Sequence, residues 1–207
     1  MRVISGTAKG RQLKGPTGPG TRPMTDRLKV SLFDTLVPYG IEGARVLDLY
    51  AGSGSLGIEM LSRGAEWADF VEQNPTMCKL ISDNLRTTGL AERAHVYKMW
   101  VARFLTMKRH QAEGTPHGDS EDAQESTVHK DSGAEYDIIL LDPPYADPAI
   151  EDTMETVALA PYLSGDGLVV IGHATRVKLA DEYGGGRIAR ARHREMGGSA
   201  FSIYERV

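Results

Sequence analysis

The chain reads as a doubly wound α/β protein: a mainly parallel sheet of seven strands with an antiparallel edge hairpin, preceded by a small N-terminal hairpin and helix. Three observations predict this. Short apolar runs alternate with segments of helical periodicity from Arg45 onward. A glycine-rich turn, Gly52-Ser53-Gly54-Ser55-Leu56-Gly57, stands where the first of those strands gives way to a helix. The last two apolar runs are separated by Met196-Gly197-Gly198-Ser199, a composition that favours a tight hairpin.

Taken in order, Arg2-Val3-Ile4 and Arg11-Gln12-Leu13 pair as a short hairpin around Gly6 and Gly10, and Gly15 to Pro23 is a Gly/Pro linker. Thr25 caps a helix running to about Val37, whose apolar positions Leu28, Leu32, Phe33 and Leu36 recur at helical spacing. Strands follow at 45–50 and 67–71, a helix to about Arg86, a strand at 94–98 and a helix from about Val101 to Lys108. From about 110 to 135 the sequence is acidic and polar and lacks the large apolar residues needed to bury a core; it reads as an insertion. A strand at 138–141, a helix at about 149–159, a turn through Gly167, a strand at 168–171 and the final hairpin of 187–194 with 200–206 complete the pattern. The expected division is a basic extension, 1–40, and a Rossmann-like domain, 41–207.

Hydrophobic residues make up 41% of the 207, enough for a real core, and no run approaches the length of a membrane span. The opening residues show no apolar leader segment, so a cytoplasmic location is expected. The single cysteine, Cys78, excludes an intrachain disulfide and a multi-cysteine zinc site. Its helical context beside Met77 and Leu80 does not suit a nucleophile, and no metal is expected. The net charge of −4 hides an asymmetry. Arg2, Lys9, Arg11, Lys14, Arg22, Arg27 and Lys29 face only Asp26 within the first thirty residues, and the C-terminal stretch carries Arg187, Arg190, Arg192, Arg194 and Arg206. An acidic chain with such localised basic blocks suits a polyanion.

Two motifs carry chemistry. Asp48 ends the first strand before the glycine turn, and Glu72 ends the second. Gly52, Gly54 and Gly57 fit the G-x-G-x-x-G pattern, with an acid about 20 residues on that can hold a ribose diol. A dinucleotide and S-adenosylmethionine both satisfy this. Asp48 favours the second, since a carboxylate there would repel a pyrophosphate and attract the ammonium of a methionine moiety. The other motif, Asp142-Pro143-Pro144-Tyr145, follows the strand Ile138-Ile139-Leu140-Leu141. Its prolines have fixed φ and no N–H, so the corner is rigid and rich in acceptors. Asp142 and a backbone carbonyl can accept two amine hydrogens while Tyr145 stacks on a ring, which suits a nucleobase bearing an exocyclic NH2. A methyl donor beside an amine acceptor makes a complete reaction. It needs neither a metal nor a covalent intermediate.

Arg2-Val3-Ile4-Ser5-Gly6, Gly10-Arg11, Thr21-Arg22-Pro23-Met24-Thr25-Asp26-Arg27, Asp48 through Gly57 and Asp142 through Tyr145 together resemble the RsmD family of 16S rRNA guanine-N2 methyltransferases. The resemblance spans nearly the whole chain outside the acidic insertion. It implies a class I S-adenosylmethionine-dependent methyltransferase fold and a monomer that acts on 16S rRNA or a partly assembled 30S subunit. It implies that Asp48, Ala51, Gly52, Ser53, Gly54, Glu72, Gln73, Trp100 and the Thr25 region hold the cofactor. It implies that Asp142, Pro143, Pro144 and Tyr145 hold the target amine, and that the N-terminal basic residues grip RNA. The chain departs from the family in two places. Trp100 stands where Asp or Asn is usual after the third strand, and can stack on adenine but not accept from its amine. Gly172 stands before His173, where an acid is expected. Two other functions also fit the residues: a DNA adenine-N6 methyltransferase using the same corner, and a non-catalytic assembly factor retaining the fold.

Overall fold

A computed structural model describes residues 1–16, 24–112, 135–144 and 147–207. Tyr145, Arg22 and the segment 113–134, which holds most of the acidic insertion, lie outside these. Among the described residues a single sheet has eight strands in the order β3-β2-β1-β4-β5-β8-β7-β6. These are β1 (Arg45–Leu49), β2 (Trp67–Glu72), β3 (Ala94–Lys98), β4 (Tyr136–Leu141), β5 (Leu163–Ala174), β6 (Glu182–Tyr183), β7 (Ile188–Met196) and β8 (Ser199–Arg206). Strands β1 to β5 are parallel, and β8, β7 and β6 add antiparallel at one side. The strand beyond the expected seven is the two-residue β6, too short to show any periodicity in sequence.

Alternation along the strands divides the core. Val46, Phe70, Leu140, Val170, Phe201 and Ile203 face one layer, with α1 (Asp26–Leu36), α2 (Ser55–Ser62) and α3 (Pro75–Thr88) packed against it. Leu47, Val71, Ile139, Val169, Ile171 and Tyr204 face the other, under α4 (Val101–Ala112) and α5 (Ile150–Ala158). Helix α3 shows how local sequence sets its own limits. Asn74 accepts from the backbone N–H groups of Thr76 and Met77, Pro75 occupies the first turn, and Gly89 closes the end at φ 74°.

Two expected boundaries move. The turn expected through Gly167 is part of β5, because Leu163 pairs with Tyr136 before the register shifts to Leu168 opposite Ile138. A Cβ on Gly167 would stand 2.4 Å from Leu163 Cδ1, so the polar Ser164-Gly165-Asp166-Gly167 stretch is a tight irregularity within the strand. Helix α4 continues past Lys108 to Ala112, and Lys108 is buried with its ammonium 5.4 Å from the Tyr136 ring centroid.

The N-terminal arm is held to the core by hydrogen bonds. The Val3 N–H donates to Arg11 O at 3.0 Å and Leu13 N–H to Met1 O at 3.0 Å, forming the expected hairpin contact. Val3, Ala8 and Leu13 are buried in the same layer as α2.

Candidate active site

The chain passes from β1 outward to β2 and β3, then returns to β4 on the other side of β1. The switch point therefore lies between the carboxyl ends of β1 and β4, where open α/β sheets bind ligands. Both motifs meet there. Leu49 pairs with Leu141, and the Asp142 N–H reaches toward Leu49 O at 3.5 Å.

The glycine loop is built from backbone conformation. Tyr50, at φ 57°, sits in the left-handed region, an uncommon state for a bulky residue and one that turns the chain sharply off β1. Gly54 caps α2 at φ 75°. At Gly57 the demand is steric: a Cβ would lie 2.4 Å from Phe70 Cε1 and 3.0 Å from Asp48 Oδ2. The Gly57 N–H instead donates to Asp48 Oδ2 at 2.9 Å. Asp48 is 1% exposed, and burial pushes its carboxyl well above the usual range. Asp48 therefore fixes the entry of α2 through the Gly57 amide, with its carboxyl buried beneath the glycine loop.

Glu72 accepts from Gly52 N–H at 2.9 Å through Oε2 and from Asn74 N–H at 2.8 Å through Oε1. Each carboxylate oxygen keeps a second lone pair, so the group can still receive a ribose diol. Trp100 follows β3 and is 68% exposed, one strand away from Glu72 and offering an open aromatic face. Gln73 is exposed beside Glu72, and Ala51 and Ser53 line the turn as buried residues. These residues fit a purine nucleoside lying across the ends of β1, β2 and β3. Among the described residues no group of His, Cys, Asp or Glu is arranged to hold a metal ion.

At the end of β4, burial raises the Asp142 carboxyl to about 6, while a hydrogen bond from the Met24 N–H partly opposes the rise. The segment before α1 therefore rests on Asp142, and Thr25 caps that helix, its Oγ1 accepting from Leu28 N–H at 3.3 Å. Gly172 now has a physical reason. A Cβ there would stand 2.8 Å from Asp142 Oδ1 and 2.9 Å from Met24 Cε, so the glycine leaves room for the carboxylate and for Met24. Pro143 is buried and Pro144 exposed. The carbonyl of Pro144 accepts from Asp147 N–H at 2.9 Å, so not every carbonyl of the corner is left without a local donor.

Of the basic residues, Arg2, Lys9, Arg11, Lys14 and Arg27 are exposed. Lys29 is not. It is 1% exposed, with Nζ 3.6 Å from Glu59 Oε2, and cannot reach a phosphate. The expected RNA contact at Lys29 is therefore withdrawn: its position on the inner face of α1, with Leu28, Leu32 and Phe33, decides its burial.

Several residues that organise the site had no sequence signal. Glu59, fully buried on α2, accepts from the Ile4 and Ser5 N–H groups at 2.8 and 2.9 Å and from Arg63 Nε at 2.9 Å. Asn84 accepts from Lys14 N–H and donates to the carbonyls of Lys14 and Ser53, joining arm to glycine loop. A Cβ at Gly6 would lie 1.7 Å from Ser62 O, which explains the glycine of the opening motif. His173, buried, contacts Ser202 Oγ, which also contacts His193; a packed polar network occupies the end of β5.

The fold and the paired motifs define the class: a Rossmann-like methyltransferase fold with its glycine loop and its acidic proline corner side by side. Comparisons place the chain within that class. A family model described as "Conserved hypothetical protein 95" matches residues 1–116 and 108–205. A putative rRNA methyltransferase, YlbH, of Bacillus subtilis is 34% identical over 206 residues, covering 100% of this chain and 99% of that one. Ribosomal RNA small subunit methyltransferase D of Escherichia coli is 32% identical over 171 residues, 83% of this chain and 73% of that one. Among solved structures, the putative methyltransferase yhhF of Escherichia coli aligns with TM-score 0.76 at 28% identity, covering 100% of this chain and 97% of that one. The chain belongs to the RsmD family.

Proposed function

We propose that the protein methylates the N2 amine of a guanine in small-subunit ribosomal RNA, using S-adenosylmethionine. The observation that carries this reading is the meeting of Asp142 with the glycine loop at the β1/β4 switch point. A methyl donor in the loop and a planar amine at the corner would be neighbours. The rRNA methyltransferase names of two relatives support ribosomal RNA as the polyanion.

Bound S-adenosylmethionine supplies a sulfonium methyl group. Glu72 would hold the ribose hydroxyls and the exposed face of Trp100 would cover the adenine. Asp142 accepts one hydrogen of the guanine amine and the Pro143 carbonyl the other, so the nitrogen lone pair is aimed and the charge developing on nitrogen is stabilised. On receiving that methyl group the amine would have to shed a proton. A carboxylate with a pKa of about 6 can take that proton and pass it to water near neutral pH. The fixed φ of Pro143 and Pro144 keeps these acceptors in place during the transfer. Stacking of the extruded base on the aromatic ring that the sequence supplies at Tyr145 would offset part of the few kcal/mol that unstacking costs.

The test is incubation with labelled S-adenosylmethionine and unmodified small-subunit particles, free 16S rRNA or DNA, followed by nucleoside mass spectrometry. N2-methylguanosine in the RNA is expected. Label in adenine, in DNA, or nowhere would refute the reading.

A further inference from the structure

We propose that Arg27 and Arg194 form a two-arginine clamp for an RNA backbone phosphate beside the base corner, making strand β7 a second wall of the RNA site. The inference rests on the rRNA reading above and extends it to a surface outside the N-terminal arm.

The sheet register places Arg194 there. Arg194 pairs with Phe201 and Phe201 with Gly172, so the three form one row across β7, β8 and β5. Directly paired residues point to the same face of a sheet. On that face a Cβ at Gly172 would meet Asp142 Oδ1 at 2.8 Å. Neighbouring strands lie about 4.8 Å apart, so the backbone at Arg194 is roughly 10 Å from Gly172 and, one strand further, roughly 14 Å from Asp142. A nucleotide with its flanking phosphate, met by an extended arginine side chain, bridges that distance.

Helix α1 crosses the same face. Arg194 Nη1 donates to Ser31 Oγ at 3.2 Å, which fixes the guanidinium against the helix while using a neutral acceptor. Its charge is therefore not cancelled by that contact. Arg27 lies one helical turn before Ser31, exposed, with its Cβ roughly 5–6 Å from that of Ser31. The Arg27 side chain is thus within reach of the Arg194 guanidinium, on a surface joined to Asp142 at both ends, by Gly172 through the sheet and by Met24 just before α1. Paired guanidiniums at this spacing offer planar forks suited to phosphate. Arg192, on the same face opposite Ile203, lies nearer Tyr39 and Glu205, where the local charge is partly balanced. It would contribute less.

The test is titration of a 16S rRNA fragment against the full-length protein at several salt concentrations, for wild type, Arg27→Gln, Arg194→Gln, the double variant and Arg103→Gln. Arg103 is an exposed arginine of α4, under the opposite face, and serves as the control. Each clamp variant should weaken binding, and the double variant, which loses the one phosphate contact, should flatten the dependence of log K on log salt by about 0.7. The control should not change it. Affinity for S-adenosylhomocysteine and the thermal midpoint should be unaltered, above all in Arg27→Gln, which disturbs no buried contact. A wild-type slope in the double variant, or an equal loss in Arg103→Gln, would overturn the clamp. Because binding is read without turnover, the clamp can fail while wild type still forms N2-methylguanosine. Conversely, the guanine reading can fail while the clamp survives.

Discussion

Replacing Glu59 with Gln should loosen the N-terminal arm and destabilise the whole protein, and replacing Lys29 as well should restore part of the loss. The Glu59 carboxylate is fully buried and receives two backbone N–H groups of the arm, the Arg63 guanidinium and, at 3.6 Å, the Lys29 ammonium. Among the described residues Lys29 Nζ has no close hydrogen-bond partner, so its charge is held by Coulombic attraction, chiefly to Glu59 with Asp26 adding to it. A Gln keeps one acceptor oxygen but strands a buried cation. Breaking a buried pair in this way costs about 3–5 kcal/mol, or roughly 6–20 °C in melting temperature for a chain of this size. Lys29→Met removes the desolvated ammonium while Glu59 keeps its other donors, and should cost less than about 1 kcal/mol. In the double variant the stranded cation is gone, so the two effects should fall short of additivity by about 1–3 kcal/mol. Urea unfolding, with a common m value across the four proteins, measures the cycle. A coupling within about 0.5 kcal/mol of zero would show that Lys29 and Glu59 do not depend on one another.

The same pair gives a pH test. Burial lowers the Lys29 pKa below its unfolded value of 10.5. Between the lowered value and 10.5 the unfolded chain binds more protons, so stability should rise with pH there. Lys29→Met should flatten that limb.

Asp142→Asn should cut methyl transfer by ~10²–10³ while leaving S-adenosylhomocysteine affinity within about twofold, and should abolish an acid limb in kcat/KM centred near the carboxyl value of about 6; a variant keeping more than about a tenth of the rate would rule out the acceptor role. Gly6→Ala should expose the arm to proteolysis and speed exchange at the Ile4 and Ser5 amides, because the added methyl falls on the Ser62 carbonyl; unchanged protection would mean the arm is held some other way. Neutralising Arg2, Lys9 and Arg11 together should flatten the salt dependence of RNA binding by up to about 2 without touching cofactor affinity, and an unchanged slope would leave the grip to other surfaces.

The order of strands and helices was legible because each element carries its own period. The glycine turn and the Asp142 corner were legible because backbone conformations so restricted demand particular residues. What could not be read was which polar residues turn inward. Lys29 and Glu59 look like ordinary helix charges until α1 and α2 are seen packed face to face. Gly172 looked like a missing acid because its reason is a carboxylate from another strand. The burial of Asp48 and its bond from the Gly57 amide were likewise invisible in the local pattern. In each case the deciding contact is long-range, and local pattern does not report it.

That long-range wiring bears on how RNA binding and chemistry would be joined. The arm is one continuous physical connection: Met1 Sδ stands 4.0 Å from Ser53 Oγ, Lys14 is tied through Asn84 to the Ser53 carbonyl, and the Ile4 and Ser5 amides are fixed to Glu59 on the helix that the glycine loop begins. Met24, where the described chain resumes, donates to Asp142. Contacts that pull on the arm would therefore act on the glycine loop, and contacts on the residues just before α1 would act on Asp142. If RNA binding tunes the reaction, its effect should be seen at the Ser53 and Met24 amides first. Hydrogen exchange with and without an rRNA fragment can follow both of them.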